Sequence, residues 1–235
     1  MISEDRIDQT LTGLGRDLPL PPPLSAEFEA EITQLRPAAP RQPRRQFSVV
    51  ALLSLLYGGF LVVMTDLRPD IDELPMLGVL TYSAVWLMSF LIITWLVLIP
   101  GRGRVMPNWR YAGVSAAIAV ATFVAAGFLL PFGGPDSVTL APLDSLINGH
   151  KCLIWGTITS LVPIALGSLL LRGSVPVGSR WAGAGLGAAG GSLGGLMLHL
   201  HCPVADPLHL GVIHGGVVLV ASVIGAVLLP TTARH

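Results

Sequence analysis

The chain has 235 residues, of which 52% are apolar and 12% are charged, whereas soluble proteins carry about 25% charged residues. Its 14 basic and 14 acidic residues balance to a formal net charge of zero, which argues against direct binding of nucleic acid. This composition excludes an ordinary soluble domain and favours a protein whose main surroundings are the lipid bilayer.

Residues 1–46 precede the first apolar stretch and form an acidic segment with a proline-rich linker to the membrane. No apolar signal-peptide core lies among them, so we expect no cleaved leader. A narrow apolar stripe at helical spacing predicts a first short amphipathic helix. Its members are Ile7, Leu11, Leu14 and Leu18. Phe28, Ile32 and Leu35 mark a second short helix, and prolines at 37, 40 and 43 then favour extended backbone.

Six apolar stretches follow, and none contains an acidic residue, lysine or arginine. They lie at 47–65, 77–99, 112–131, 152–171, 182–200 and 211–229. A bilayer core requires about 20 apolar residues in a helix, and backbone amides in lipid must be satisfied within the segment. We therefore predict an all-α polytopic membrane protein, with six transmembrane helices in a domain over 47–230.

The charged residues between these stretches predict the direction of each span. Arginines are concentrated before the first span, in the second and fourth loops and in the tail. The first, third and fifth loops instead hold all the acidic residues that follow the N-terminal segment. Because short cytoplasmic loops are enriched in Lys and Arg, both termini are expected in the cytoplasm.

The predicted fifth span is rich in glycine. Gly183, Gly187, Gly191 and Gly195 recur every four residues and share one helix face. Small residues let membrane helices approach closely. This face is interpreted either as a centrally packed helix or as a hinge or sensing interface. Homo-oligomerisation through it is a further alternative.

Both cysteines and five of the six histidines fall at the predicted outer end of spans four to six. They are Cys152, Cys202, His150, His199, His201, His209 and His214. Three chemistries suit such a group: a structural disulfide, a zinc or copper site, and a thiol pair that senses redox state. No other cofactor is expected.

No catalytic constellation is visible, because the spans lack paired carboxylates, an activated serine and a phosphate-binding loop. We therefore expect that the chain is not an enzyme. The acidic segment is interpreted as a docking element whose apolar stripe enters a partner's groove, or else as a disordered leader. Two other classes stay open: a small-solute or metal transporter, and a membrane scaffold with a structural disulfide.

The chain resembles the NrsF-type, more loosely CarR-like, six-helix bacterial membrane anti-sigma factors. The similar features are the head at residues 7–19, Cys152 at the start of the fourth span, and Gly-Ser-Val-Pro at 173–176. The small-residue fifth span and His-Cys-Pro at 201–203 also match.

This resemblance implies a multi-pass protein of the bacterial inner membrane that takes part in transcription regulation and stress response. It implies that the N-terminal segment sequesters an extracytoplasmic-function sigma factor. The side chains expected to dock are Ile7, Leu11, Leu14, Asp17, Leu18, Phe28 and Ile32. It further implies that Cys152 and Cys202 detect a metal or oxidative stress outside the cytoplasm.

Overall fold

Six α-helices make up the architecture of the computed structural model, which describes residues 42–101, 107–130, 133, 137–171 and 179–232. In chain order they are α1 (Pro43–Met64), α2 (Met76–Leu98), α3 (Trp109–Leu129), α4 (Pro142–Leu170), α5 (Ser179–His201) and α6 (Gly215–Thr232). A 3₁₀ turn, Ile71–Glu73, precedes α2, and a π-helical segment, His209–His214, leads into α6. Within these ranges the only extended pairing is one isolated bridge between Val138 and Val204. The predicted all-helical fold is confirmed for this part of the chain.

Five helices are long and apolar enough to cross a membrane. They are Pro43–Met64, Met76–Leu98, Trp109–Leu129, Leu143–Leu170 and His209–Leu229. The predicted fifth span at 182–200 is a helix of 23 residues, but it is not among these five. Its glycines lower the hydropathy without preventing the helix, because neighbouring helices cover it on several sides. The structure therefore confirms that this predicted span is a helix, but its hydropathy does not mark it as a membrane span.

The boundaries of α4 differ from the predicted span. The helix begins at Pro142 rather than at residue 152, so Cys152 lies several turns inside it. Asp144, His150 and Lys151 reduce the hydropathy of this part but are compatible with helix, and proline is well suited to a first helical position. Pro163 does not end the helix, which continues to Leu170.

Helix α5 occupies the centre of the bundle, and its glycines lie directly against backbone atoms of α6. A Cβ atom would lie 2.1 Å from Gly225 O if added at Gly183 and 2.0 Å from Ala221 O if added at Gly187. Such contacts are too short for any side chain. The interpretation of this face as central packing is therefore supported.

A second set of α5 glycines faces α4. A Cβ at Gly194 would lie 2.2 Å from Gly156 O, and one at Gly190 would lie 2.6 Å from Ser160 O. Gly195, predicted to share the face of Gly183, instead lies against the Trp86 ring of α2. Small residues thus let three helices approach α5 from different directions.

Large apolar side chains cover the outer faces of the surrounding helices. Leu56 of α1 is 59% exposed, Leu77 of α2 78% and Trp155 of α4 66%. Exposed apolar surface on this scale is unusual for a soluble monomer and is the surface that lipid would cover. By contrast, Leu186 and Leu193 of α5 are 1% and 2% exposed, because they form the centre of the apolar core.

Candidate thiol and histidine site

The two cysteines lie in contact although 50 positions separate them in the sequence. Cys152 Sγ is 3.8 Å from Cys202 Sγ, and both are free thiols. His209 joins them, because its Nε2 is 3.4 Å from Cys202 Sγ. We call these three residues the thiol site. It connects α4, the loop after α5 and the π-helical segment before α6.

Backbone hydrogen bonds fix Cys202 where α5 ends. Its N–H donates to Leu198 O at 2.8 Å, which closes the last turn of the helix. The chain beyond it pairs with the segment before α4: Val138 N–H donates to Pro203 O at 3.1 Å, and Ala205 N–H donates to Val138 O at 3.0 Å. Cys202 is consequently 7% exposed and cannot turn freely toward solvent.

Asp206 positions His209 against the cysteines. The His209 N–H donates to Asp206 Oδ1 at 2.8 Å, as an N-terminal helix cap would require. The same carboxylate accepts a 2.9 Å hydrogen bond from Ser145 Oγ in the first turn of α4. Asp206 is 7% exposed, so its two partners replace the water that a buried carboxylate loses. It therefore holds the π-helical segment to α4.

Gly149 gives the His209 ring its space. A Cβ at Gly149 would lie 2.6 Å from Ile213 Cγ1 and 3.3 Å from His209 Nδ1. His209 is 1% exposed, and its Nδ1 atom has no hydrogen-bond partner among the described residues. The imidazole is thus enclosed between α4 and the π-helical segment.

A buried ion pair lies at the same end of the bundle. Arg68 and Asp70 are 2% and 3% exposed, and Arg68 Nε donates to Asp70 Oδ1 at 2.6 Å. Ser137 Oγ also donates to this carboxylate, at 2.6 Å, while the Arg68 N–H donates to Leu200 O at 2.9 Å. The Arg68 guanidinium lowers the pKa of Asp70 to about 2, with a further contribution from the Ser137 hydrogen bond. The first and third loops are thereby tied to the end of α5.

The thiols influence each other's protonation. The adjacent Cys152 sulfur raises the pKa of the Cys202 thiol above its ordinary value, and burial raises it further. Two thiolates 3.8 Å apart would repel each other in a site with little water. Two negative charges on this pair would therefore need a bound cation to stabilise them.

The thiol site meets the spatial requirements of a metal site. The ligand atoms of Cys152, Cys202 and His209 all lie within 4.8 Å of one another. Zn–S bonds of about 2.3 Å in a tetrahedron put two sulfurs about 3.8 Å apart, which matches the Sγ–Sγ distance of 3.8 Å. Thiolate and imidazole ligands suit zinc or copper(I). Alternatively, the two cysteines can form a disulfide if their sulfurs move closer together.

A cavity of about 420 Å³ gives access to the thiols. Both Cys152 and Cys202 line it, together with Thr65 of the first loop and Lys151 of α4. The sulfurs are therefore within reach of a small ion or oxidant without unfolding of the bundle.

The remaining predicted histidines lie apart from the three-residue cluster. His150 contacts Ile147 O on its own helix, and His201 contacts both Thr65 Oγ1 and Met197 O. The His199 ring stacks on Tyr82, with centroids 5.5 Å apart. His214 packs edge to face on His209 at 5.2 Å, so it lies next to the thiol site without sharing a ligand position.

Sequence reasoning missed the polar residues that support this site. Arg68 and Asp70 look like ordinary loop charges, and Ser145 and Asp206 lie 61 positions apart. No local pattern marks any of them. The predicted docking side chains, Ile7, Leu11, Leu14, Asp17, Leu18, Phe28 and Ile32, lie outside the described residues.

Comparison with known protein families gives a match over most of the chain. The family model described as NrsF, negative regulator of sigma F, matches residues 32–235. No curated protein and no solved structure matches the chain. The matched region includes every described helix and the whole thiol site, which agrees with the resemblance carried by Cys152 and Cys202, whereas the head at residues 7–19 lies outside it. The chain therefore belongs to the NrsF family, whose name identifies it as a negative regulator of a sigma factor.

Proposed function

We propose that the chain is a multi-pass inner-membrane anti-sigma factor for an extracytoplasmic-function sigma factor. Residues 1–46 hold the sigma factor in the cytoplasm, and the thiol site releases it in response to a periplasmic redox or metal stress. The family to which the chain belongs is named for regulation rather than for catalysis. This favours a regulator over the transporter and scaffold alternatives.

The contact between Cys152 and Cys202 carries the sensing part of the proposal. The two sulfurs are 3.8 Å apart, and they connect helices that pack together along the centre of the bundle. A disulfide requires the sulfurs to approach to about 2.05 Å, whereas a metal ion keeps them at their present separation. The two stimuli would therefore shift α4 relative to the end of α5 by different amounts.

Close contacts can carry such a shift through the membrane domain. Gly194 of α5 lies against Gly156 O of α4, and Gly187 lies against Ala221 O of α6. Interfaces without space cannot absorb movement locally, so displacement at one end changes helix positions along the bundle. Helix α1 begins at Pro43, inside the segment 1–46 where extended backbone was expected, and it contacts α5 through Gly58 and Leu193. This is the route by which the signal would reach residues 1–46.

The charge of the docking segment supports a basic partner. Seven acidic residues and two arginines occur in residues 1–31, and complementary charge speeds association and fixes orientation. The apolar stripe would supply the affinity through burial in a groove.

Co-purification of the full-length protein with its sigma factor tests the docking proposal. Leu11→Asp together with Leu14→Asp should abolish retention of the sigma factor, because charge replaces the centre of the apolar stripe. Gln9→Asp together with Thr12→Asp is the matched control, since it adds the same charge to the polar face. Equal retention by the two double variants would contradict docking through the stripe.

Transcription from a sigma-dependent promoter tests the thiol site separately. Cys152→Ser and Cys202→Ser should each leave sequestration intact without stress and remove the response to oxidant or metal. His209→Gln should weaken the response to metal but not to oxidant, because only the metal site uses the imidazole. A parent-like response in both serine variants would refute sensing while leaving the docking result untouched.

A further inference from the structure

A second cavity lies between α2, α3, the end of α5 and the π-helical segment, and none of its described lining residues also lines the cavity at the thiols. Its volume is about 300 Å³, at the lower end of the range of about 300–1,000 Å³ for small-molecule sites. Its walls are largely aromatic and aliphatic. The residues on which the argument rests are Tyr82, Trp86, Phe123, Ala126, His199 and His214.

An unpartnered polar atom faces this cavity. His214 is 3% exposed, and its Nε2 atom has no hydrogen-bond partner among the described residues. Buried side-chain nitrogens are nearly always hydrogen-bonded, so this atom indicates a site for a ligand atom. A trapped water would require two to four polar partners, whereas most of this lining is apolar and the Thr81 hydroxyl already donates to Leu77 O.

The rest of the cavity favours a flat, uncharged ring. The Trp86 and Phe123 rings lie parallel, with centroids 3.5 Å apart, and the Tyr82 and His199 rings form a second stack. The Tyr82 hydroxyl is already used, since it donates to Leu130 O at 2.7 Å. Among the described residues no charged side chain lines the cavity, so this part of the chain offers no counter-ion to a carboxylate or phosphate head group.

The rim of the cavity faces the lipid side of the bundle. Val85 of α2 is 45% exposed and Leu130, just after α3, is 61% exposed, and both line the cavity. A ligand would therefore enter from the membrane, which requires a lipid-soluble molecule.

We propose that this cavity binds the head group of a membrane quinone. The flat ring would lie among the aromatic side chains, with one ring oxygen on His214 Nε2 and the isoprenoid tail extending past Leu130 into lipid. A neutral imidazole nitrogen can donate to a quinone carbonyl or accept from a hydroquinone hydroxyl, so either form can be held. The site does not depend on sigma-factor binding or on the thiols.

Photolabelling of the purified full-length protein in lipid nanodiscs tests the site. The probe is a short-chain azidobenzoquinone, competed with an unlabelled alkylbenzoquinone, and labelled peptides are mapped by mass spectrometry. Labelling should saturate, be removed by competitor, and map to α2, α3 or residues 209–218. His214→Leu should weaken the apparent affinity for the probe on the order of tenfold. His214→Gln should keep most of the parental affinity. His150→Leu, on the exposed surface of α4, should leave the affinity unchanged.

Ala126→Leu gives a second test that does not alter a buried histidine. Ala126 is half-buried on α3 and lines the cavity, so a larger side chain there occupies the space for the ring. It should abolish competed labelling while the circular dichroism melting curve stays parental. Labelling that resists competitor, or that is equal in parent and Ala126→Leu, would overturn the proposal. So would a phospholipid or fatty acid that occupies the cavity and resists displacement by quinone.

Discussion

Replacement of Gly187 by alanine tests the central role of α5 directly. The added Cβ would lie 2.0 Å from Ala221 O and 2.5 Å from Ser222 Cα. Both atoms belong to backbone, so no rotamer change can relieve the overlap. To reach an ordinary contact of 3.4 Å, α5 and α6 must separate locally by about 1.4 Å.

Such a separation has a definite energetic cost. A gap of 0.5–1 Å already forfeits a quarter to a half of the dispersion energy of each contact, and overpacking typically costs about 1–3 kcal/mol. We therefore expect Gly187→Ala to lower the free energy of unfolding by about 3 kcal/mol.

Reversible unfolding in mixed micelles, followed by circular dichroism, measures this loss. Gly59→Ala is the matched control, because nothing lies within 4 Å of a Cβ at that position of α1. Alanine is also the better helix former, by about 1 kcal/mol in water, so the control should not be destabilised. If the two variants unfold within about 0.5 kcal/mol of each other, the close approach of α5 and α6 is wrong.

Three further outcomes are expected. Mild oxidation of the purified protein should convert both titratable thiols into a disulfide within one chain. Mass spectrometry would show this as the loss of two hydrogens without a dimer. Disulfide-linked dimers would contradict the Cys152–Cys202 contact. Asp70 has a pKa of about 2 in the folded chain, against an ordinary value of 3.8, so unfolding binds a proton between these values and stability should fall as pH drops from 4 to 2. Asp70→Asn should remove that part of the pH dependence in an acid-unfolding series. Reporter fusions at residues 72 and 139 should be active only outside the cytoplasm, and fusions at 104 and 235 only inside it; the reverse pattern would refute the predicted orientation.

The helices could be predicted because lipid imposes a simple rule on sequence. Segments without charge and about 20 residues long must satisfy their own backbone, and five of the six predicted segments appear as apolar helices of that length. Hydropathy did not reveal where α4 begins. Asp144 and Lys151 are too polar to count in an apolar stretch, yet both belong to the helix. Helix boundaries depend on caps and neighbours, which a hydropathy window does not measure.

The thiol site was predictable only in part. Cys152 and Cys202 could be assigned to one membrane surface from the order of the spans, whereas the choice of His209 among five histidines depends on the π-helical segment and on Asp206. The Arg68–Asp70 pair joins loops whose arrangement follows from the assembled bundle. Such residues are set by tertiary contacts and carry no local sequence signal.

The low hydropathy of α5 also has a consequence for biogenesis. In the six-span topology proposed above, a glycine-rich segment partitions into lipid less readily than the other five, because translocon insertion depends on the apolar content of each segment. Its glycines become favourable only when the backbones of α4 and α6 cover them. Stable integration of α5 would therefore wait until α6 has been synthesised. A chain truncated before α6 would expose the glycine faces to lipid and become a substrate for membrane quality-control proteases.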